Sequence, residues 1–138
     1  MIRFFVQIEY DGTNYHGFQK QPKTKKTIQY EVERALSDVA NHKVVTVCSG
    51  RTDAGVHAMN QFVHFDTKSK RKIESWVKGV NSYLPEDISV KNFFKVNPDM
   101  HARFSAISRS YVYVIKNSDT PPAIGSRNCL WIRKQLNV

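Results

Sequence analysis

Polar and apolar residues alternate from the start of the chain. Ile2, Phe4, Val6, Ile8 and Tyr10 interleave with Arg3, Phe5, Gln7 and Glu9, the period-two pattern of a strand with one face in a core. Asp11-Gly12-Thr13 breaks that pattern. After a polar, basic loop, Ile28, Val32, Ala35, Leu36 and Val39 recur at intervals of three and four, which predicts a helix of about three turns ending near Asn41. Val44 to Cys48 predicts a short apolar strand. A longer strand is predicted over Met59 to Thr67, with Met59, Gln61, Val63 and Phe65 on one face and Asn60, Phe62, His64 and Asp66 on the other. Ile73, Trp76, Val77, Val80 and Leu84 mark the buried stripe of a second helix closed by Pro85, and Ile88 to Val96 reads as a fourth strand.

The order strand, helix, two strands, helix, strand is the α+β, ferredoxin-like βαββαβ arrangement, an antiparallel sheet with both helices on one face and the other face open. A further strand over Ile107 to Lys116 (ISRSYVYVIK) is expected to extend this sheet. The stretch from Asn117 to Val138 carries loop residues followed by CLWIRKQLNV and reads as a tail. With 138 residues, 41% of them hydrophobic, one core burying roughly two-thirds of the unfolded surface is expected.

Lys and Arg number 21 against 12 Asp and Glu, a formal charge of +9. Such an excess points to an anionic partner, because neutralising phosphates releases condensed counterions. The runs Lys23 to Lys26 (KTKK) and Lys68 to Lys72 (KSKRK) concentrate the charge, although such runs are also ordinary solvated loop ends. Cys48 and Cys129 form no C-x-x-C pair and lie in no His/Cys cluster, so neither a disulfide framework nor a zinc site is indicated. No apolar run approaches the roughly 20 residues of a membrane span. The N-terminus MIRFFVQIEY is charged and alternating rather than a continuous hydrophobic signal. A soluble, cytoplasmic protein is expected.

The chemistry concentrates in Ser49 to Ala58, SGRTDAGVHA. These residues stand where a hairpin would close in two to five, and long ordered loops in compact domains are often functional. Gly50 and Gly55 supply backbone freedom, and Asp53 sits at the middle, flanked by Arg51 and Thr52. A carboxylate beside an Arg is held ionised and on a rigid loop can act as nucleophile or base; equally, Asp and Gly are common turn residues, and Asp53 could cap the turn.

SGRTDAGVHA closely resembles the catalytic signature of the TruA family of tRNA pseudouridine synthases, in which the Asp is the nucleophile. YDGTNYHGFQKQP, from Tyr10 to Pro22, resembles the family's N-terminal stretch. TIQYEVERAL resembles the helix that follows, with Tyr30 where a small residue is common. HARFSAISRSYVYVI, from His101 to Ile115, resembles the segment that brings an Arg-x-Tyr-x-Tyr strand into the cleft.

This resemblance implies isomerisation of uridine to pseudouridine in the tRNA anticodon arm, with no metal or organic cofactor, and Asp53 as nucleophile. The target base must be extruded to reach it, at a few kcal/mol. Arg51 would fill the vacated space or hold neighbouring phosphates, and Thr52 would help to position the loop. Tyr111 would stack on the base, a contact worth roughly 1–3 kcal/mol, while Tyr113 stays structural. Arg103 and Arg109 would hold phosphates, and His57 would order the loop by a hydrogen bond rather than act as a base. Asp11, Gly12 and the Lys-rich loop to Lys26 would lie beside the cleft and contact the RNA backbone. Nothing brings His16, His64 and His101 together as ligands.

Family members run to about twice this length, and their second half supplies an Arg that pairs with the Asp. Residues 1–116 are therefore expected to be the catalytic, ferredoxin-like N-terminal half and residues 117–138 a tail leading to a missing C-terminal half. Little or no activity is expected of the chain alone. The implied partners are the tRNA anticodon arm and a second copy in a homodimer, not DNA or a membrane. The alternative is a non-catalytic RNA-binding module with a ferredoxin-like sheet, although the K/R-G-F/Y-G/A-F-V-x-F/Y block of RNA-recognition domains is absent.

Overall fold

The computed structural model describes residues Met1–Val138 and contains two compact units, Met1–Ile107 and Ser108–Val138. In the first unit, β1 (Ile2–Tyr10), α1 (Ile28–Ala40), β2 (Val47–Cys48), β3 (Ala58–Thr67), α2 (Ile73–Tyr83) and β4 (Ile88–Val96) follow in the expected order. The strands form an antiparallel sheet in the order β2-β3-β1-β4. Strand β1 lies inside the sheet and pairs along its length with both β3 and β4.

One sheet face and the two helices enclose the core. Phe4, Val6, Ile8 and Tyr10 of β1, Val63 and Phe65 of β3, and Ile88, Val90 and Phe93 of β4 meet Ile28, Val32, Ala35, Leu36 and Val39 of α1 and Trp76 and Val80 of α2. The step from Val90 to Phe93 follows a register irregularity opposite Gln7 and Ile8, where the pairing shifts by one residue. Trp76 packs against Phe4, Phe65 and Phe93 with ring centroids 5.5–5.7 Å apart, a geometry that adds aromatic attraction to the burial itself. Helix α1 begins at Thr27, whose hydroxyl accepts from the Tyr30 N–H, and ends at Asn41, which takes the left-handed conformation.

The strand predicted over Val44 to Cys48 forms only at Val47–Cys48. The preceding amides are bonded elsewhere: the Val44 N–H donates to Ser37 Oγ and the Thr46 N–H to Glu33 Oε1, both on α1. Side chains of the helix thus compete with the sheet for this backbone.

The face away from the helices is partly covered by residues 97–105. Arg3 makes a two-pronged ion pair with Asp66 and donates to the carbonyls of Pro98 and Met100. The Ala102 N–H donates to Nδ1 of buried His64 at 2.9 Å, and His101 stacks on Phe104. Burial pushes His64 down to about 4, so the ring is neutral there.

The expected extension of the sheet over Ile107 to Lys116 does not form. Residues 107–114 have no strand pairing, and Tyr111 and Tyr113 are both exposed. In the second unit, β5 (Ile115–Asn117) instead pairs in parallel with β6 (Leu130–Ile132) as a separate two-stranded sheet. The tail thus supplies its own pairing partner: Asn117 Nδ2 donates to the carbonyls of Ile132 and Lys134, and Trp131 Nε1 to that of Ser118. No helix of the chain is long and apolar enough to cross a membrane.

Candidate active site

The connection from β2 to β3 occupies Ser49–His57, far more chain than a hairpin needs. Its two ends continue the sheet and its middle leaves it. The Ser49 N–H still donates to the Phe62 carbonyl, and Gln61 Nε2 donates to the Gly50 carbonyl. The Thr52 carbonyl then accepts from the Phe18 N–H at 3.0 Å, and Thr52 Oγ1 lies 2.7 Å from the Tyr10 hydroxyl. Burial raises Tyr10 above the usual tyrosine range, so that hydroxyl stays neutral as the partner of Thr52 and Gln61. At the far end the Gly12 N–H donates to His57 Nδ1 at 2.9 Å, and the same nitrogen lies 3.1 Å from Asp11 Oδ1. Asp11 in turn accepts from the Thr13 N–H.

Two glycines outside the loop make this docking possible. A Cβ on Gly12 would stand 2.0 Å from the Val56 carbonyl oxygen, so backbone meets backbone there. Gly17, at φ +86°, presents its Cα to the Thr52–Ala54 backbone, where a Cβ would come within 3.0 Å of the Thr52 oxygen. The YDGTNYHGF stretch is therefore the cradle of the loop. Asp11 and Gly12, expected from the sequence to lie beside the cleft, take part in this docking through His57 and the close approach to Val56. Tyr15 anchors the cradle from behind, its hydroxyl donating to Asp87 while the Asp11 N–H donates to the Asp87 carbonyl.

Asp53 stands at the tip. The Val56 N–H donates to its backbone carbonyl at 3.1 Å, closing a turn in which Gly55 adopts φ +79°. The Asp53 side chain is exposed and makes no hydrogen bond or ion pair, and none with Arg51, which is exposed as well. The base of the loop is fixed and its carboxylate is presented outward. A cleft of ≈ 540 Å³ adjoins the tip, lined by Thr13, Asn14, Tyr15, His16, Lys26, Ala54 and Gly55.

Arg51, Thr52, Asp53 and His57 thus share one loop. Arg103 is exposed in the turn beside His64, six strand positions along β3 from Ala58, with its guanidinium over the Phe104 ring at 5.6 Å. Tyr111 and Arg109 belong to the second unit, on its exposed extended segment. His64 contacts His101, with ring centroids 4.6 Å apart, while His16 lines the cleft. Glu33 escaped the sequence reading altogether. Buried on α1, it accepts from Thr46 and pairs with Lys20 at 2.8 Å, tying the start of β2 to the loop after Phe18. Only its position on the apolar side of a helix signals it, one residue after Val32.

A family model described as tRNA pseudouridine synthase matches residues 6–105. Among curated proteins, tRNA pseudouridine synthase A of Alcanivorax borkumensis is 48% identical over 138 residues, covering 100% of this chain and 52% of its own length. The protein of that name from Buchnera aphidicola subsp. Acyrthosiphon pisum is 51% identical over 135 residues, covering 98% of this chain and 50% of its own. That of Coxiella burnetii is 49% identical over 137 residues, covering 99% and 52%. The chain spans about half the length of the curated relatives it matches. A match over residues 6–105 of 138 that takes in both the cradle and the loop leaves one conclusion: the chain belongs to the tRNA pseudouridine synthase family.

Proposed function

We propose that this chain is the nucleophile-bearing half of a tRNA pseudouridine synthase that isomerises uridine in the anticodon stem-loop, with Asp53 as the nucleophile. The observation that carries the reading is the loop: an exposed carboxylate with no partner of its own, on a tip whose base is fixed at Gly50, Thr52 and His57. A pre-positioned group avoids the entropy of being brought to its substrate, which is worth several kcal/mol of barrier. In the reaction the bond from N1 to the sugar breaks, the base turns, and a bond forms from C5. The C5 hydrogen leaves as a proton and N1 gains one, so the product is an isomer and no electrons are exchanged.

Arg51, exposed two residues before Asp53, enters the space left by the extruded base or holds the adjoining phosphates. Tyr111 offers an exposed ring to stack on that base. Arg103 and Arg109 serve the backbone, as does Lys26 from the cleft wall. Thr52 and His57 position the loop. The whole protein acts in the cytoplasm as a homodimer. Residues 1–116 form its catalytic half, and residues 117–138 lead to the remainder that the relatives carry.

The test is to join the chain to that remainder, incubate it with unmodified tRNA, and map pseudouridine by carbodiimide labelling and primer extension. Stops within the anticodon arm that disappear with Asp53→Ala support the reading. Stops confined to other arms, or surviving the substitution, refute it.

A further inference from the structure

A second basic surface lies at the end of the sheet remote from Asp53. It is built from the β3–α2 connection, residues 68–72, and the turn after α1, residues 41–43. Their backbones are tied together. Thr67 Oγ1 accepts from the Ser69 N–H and lies 2.7 Å from His42 Nε2, Ser69 Oγ donates to the Ala40 carbonyl, and Arg71 Nε donates to that of Val39. The ledge held in this way presents Lys43, Lys68, Lys70, Arg71 and Lys72, all exposed.

None of these five is paired with a carboxylate, whereas Arg3, Lys20, Arg34 and Lys91 are. Of the two carboxylates nearest in sequence, Asp66 is occupied by both prongs of Arg3, and Glu74, in the first turn of α2, forms no ion pair with the ledge. The stability of α2 does not account for the charge, since Lys72 is its N-cap residue and a cation beside the positive end of a helix costs about 0.3–1 kcal/mol. Arg71 has a structural role on the Val39 carbonyl; the lysines have none.

We propose that this ledge is a second contact for the tRNA phosphate backbone, gripping a part of the molecule outside the anticodon arm. The inference rests on the functional reading above and extends it. The catalytic loop precedes Ala58 and the ledge follows Thr67, at opposite ends of the ten residues of β3. At about 3.4 Å per residue the two are ~30 Å apart, roughly one turn of a double helix. A base seated at Asp53 therefore leaves the ledge to the body of the tRNA, and an isolated arm offers it little.

The experiment measures affinity of the 138-residue chain for an unmodified tRNA transcript and for the isolated anticodon stem-loop, across a salt series. Two triple variants are compared with the parent, Lys68→Ala/Lys70→Ala/Lys72→Ala and the charge-keeping Lys68→Arg/Lys70→Arg/Lys72→Arg, with thermal unfolding as the check on folding. The alanine variant should bind tRNA about tenfold more weakly, with a salt slope smaller by about 2–3, and bind the stem-loop as the parent does. The arginine variant should match the parent on both. Unchanged tRNA affinity in the alanine variant, or an equal loss on both RNAs, overturns the ledge while leaving the functional reading intact. Failure of the parent itself to bind tRNA overturns the ledge alone, because the functional reading is decided separately by pseudouridine formation in the joined protein.

Discussion

Gly12→Ala probes the docking of the Ser49–His57 loop with the smallest possible perturbation. The new methyl would stand 2.0 Å from the Val56 carbonyl oxygen and 2.8 Å from its carbon, both backbone atoms that cannot rotate away. Contacts of this kind relax near 3.5 Å, so the two backbones must part by about 1.5 Å. Val56 is three residues from Asp53 and hydrogen-bonded to it, so the displacement reaches the carboxylate, and His57 draws away from the Gly12 N–H. Overpacking of this sort costs about 1–3 kcal/mol of stability, and a 1 Å error in the position of a reacting group about a hundredfold in rate. Gly55→Ala is the control. A Cβ there meets nothing within 4 Å, and only the strain of φ +79° applies, about 1 kcal/mol. Thermal unfolding of the chain and tritium release by the chain joined to the C-terminal half of a relative report the two effects. Gly12→Ala should lose stability and nearly all activity, and Gly55→Ala only a little of each. A Gly12→Ala protein that unfolds and turns over like the parent would refute the close approach of cradle and loop.

Four further outcomes follow from the same contacts. Asp53→Ala should leave stability within about 0.5 kcal/mol, as expected of an exposed residue, when followed by denaturant unfolding, because its side chain has no partner. Thr52→Val should cost about 1 kcal/mol by removing the bond to Tyr10, read from the same curves. His64 sets a pH dependence: it titrates near 4 when folded and near 6.5 when unfolded, so both states are neutral above that range. As pH falls from about 6.5 to 4 the unfolded chain takes up the proton first, and stability should drop by up to about 3 kcal/mol. His64→Gln, which can still accept from Ala102, should flatten that limb. Asp66 lies below its ordinary value because of the bonds from Arg3, so its contribution is present above about pH 4 and lost below it. Asp66→Asn should cost about 1 kcal/mol near neutrality, since the pair is partly exposed.

The sheet and helices were legible because their apolar periods are clean. Strands Ile2–Tyr10 and Ile88–Val96 have the bounds expected from the sequence, and the five apolar residues expected along α1 are all buried. The misreadings share a cause, which is where backbone hydrogen bonds go. Val44–Thr46 looks like strand, but its amides bond to Ser37 and Glu33, twenty or fewer residues away in sequence yet on another element. ISRSYVYVIK reads as strand on either face, and nothing within it tells that Ile115–Asn117 pairs with Leu130–Ile132. The loop was legible as an anomaly of length and composition, and a chemical role for its Asp is suggested only by resemblance. Its support was not: Gly12 and Gly17 matter because of what lies against them, and Tyr15 because of Asp87. Those are facts of three dimensions that no spacing announces.

The central claim, that Asp53 performs uridine isomerisation, is tested most directly by tritium release from tRNA carrying tritiated C5 uridine, since forming the bond from C5 to the sugar expels that hydrogen. The chain joined to the C-terminal half of a relative should release tritium from the anticodon arm, and the same protein with Asp53→Ala should release none while binding tRNA undiminished. Tritium release that persists with Asp53→Ala, or a joined protein that binds tRNA and releases none, would contradict the account.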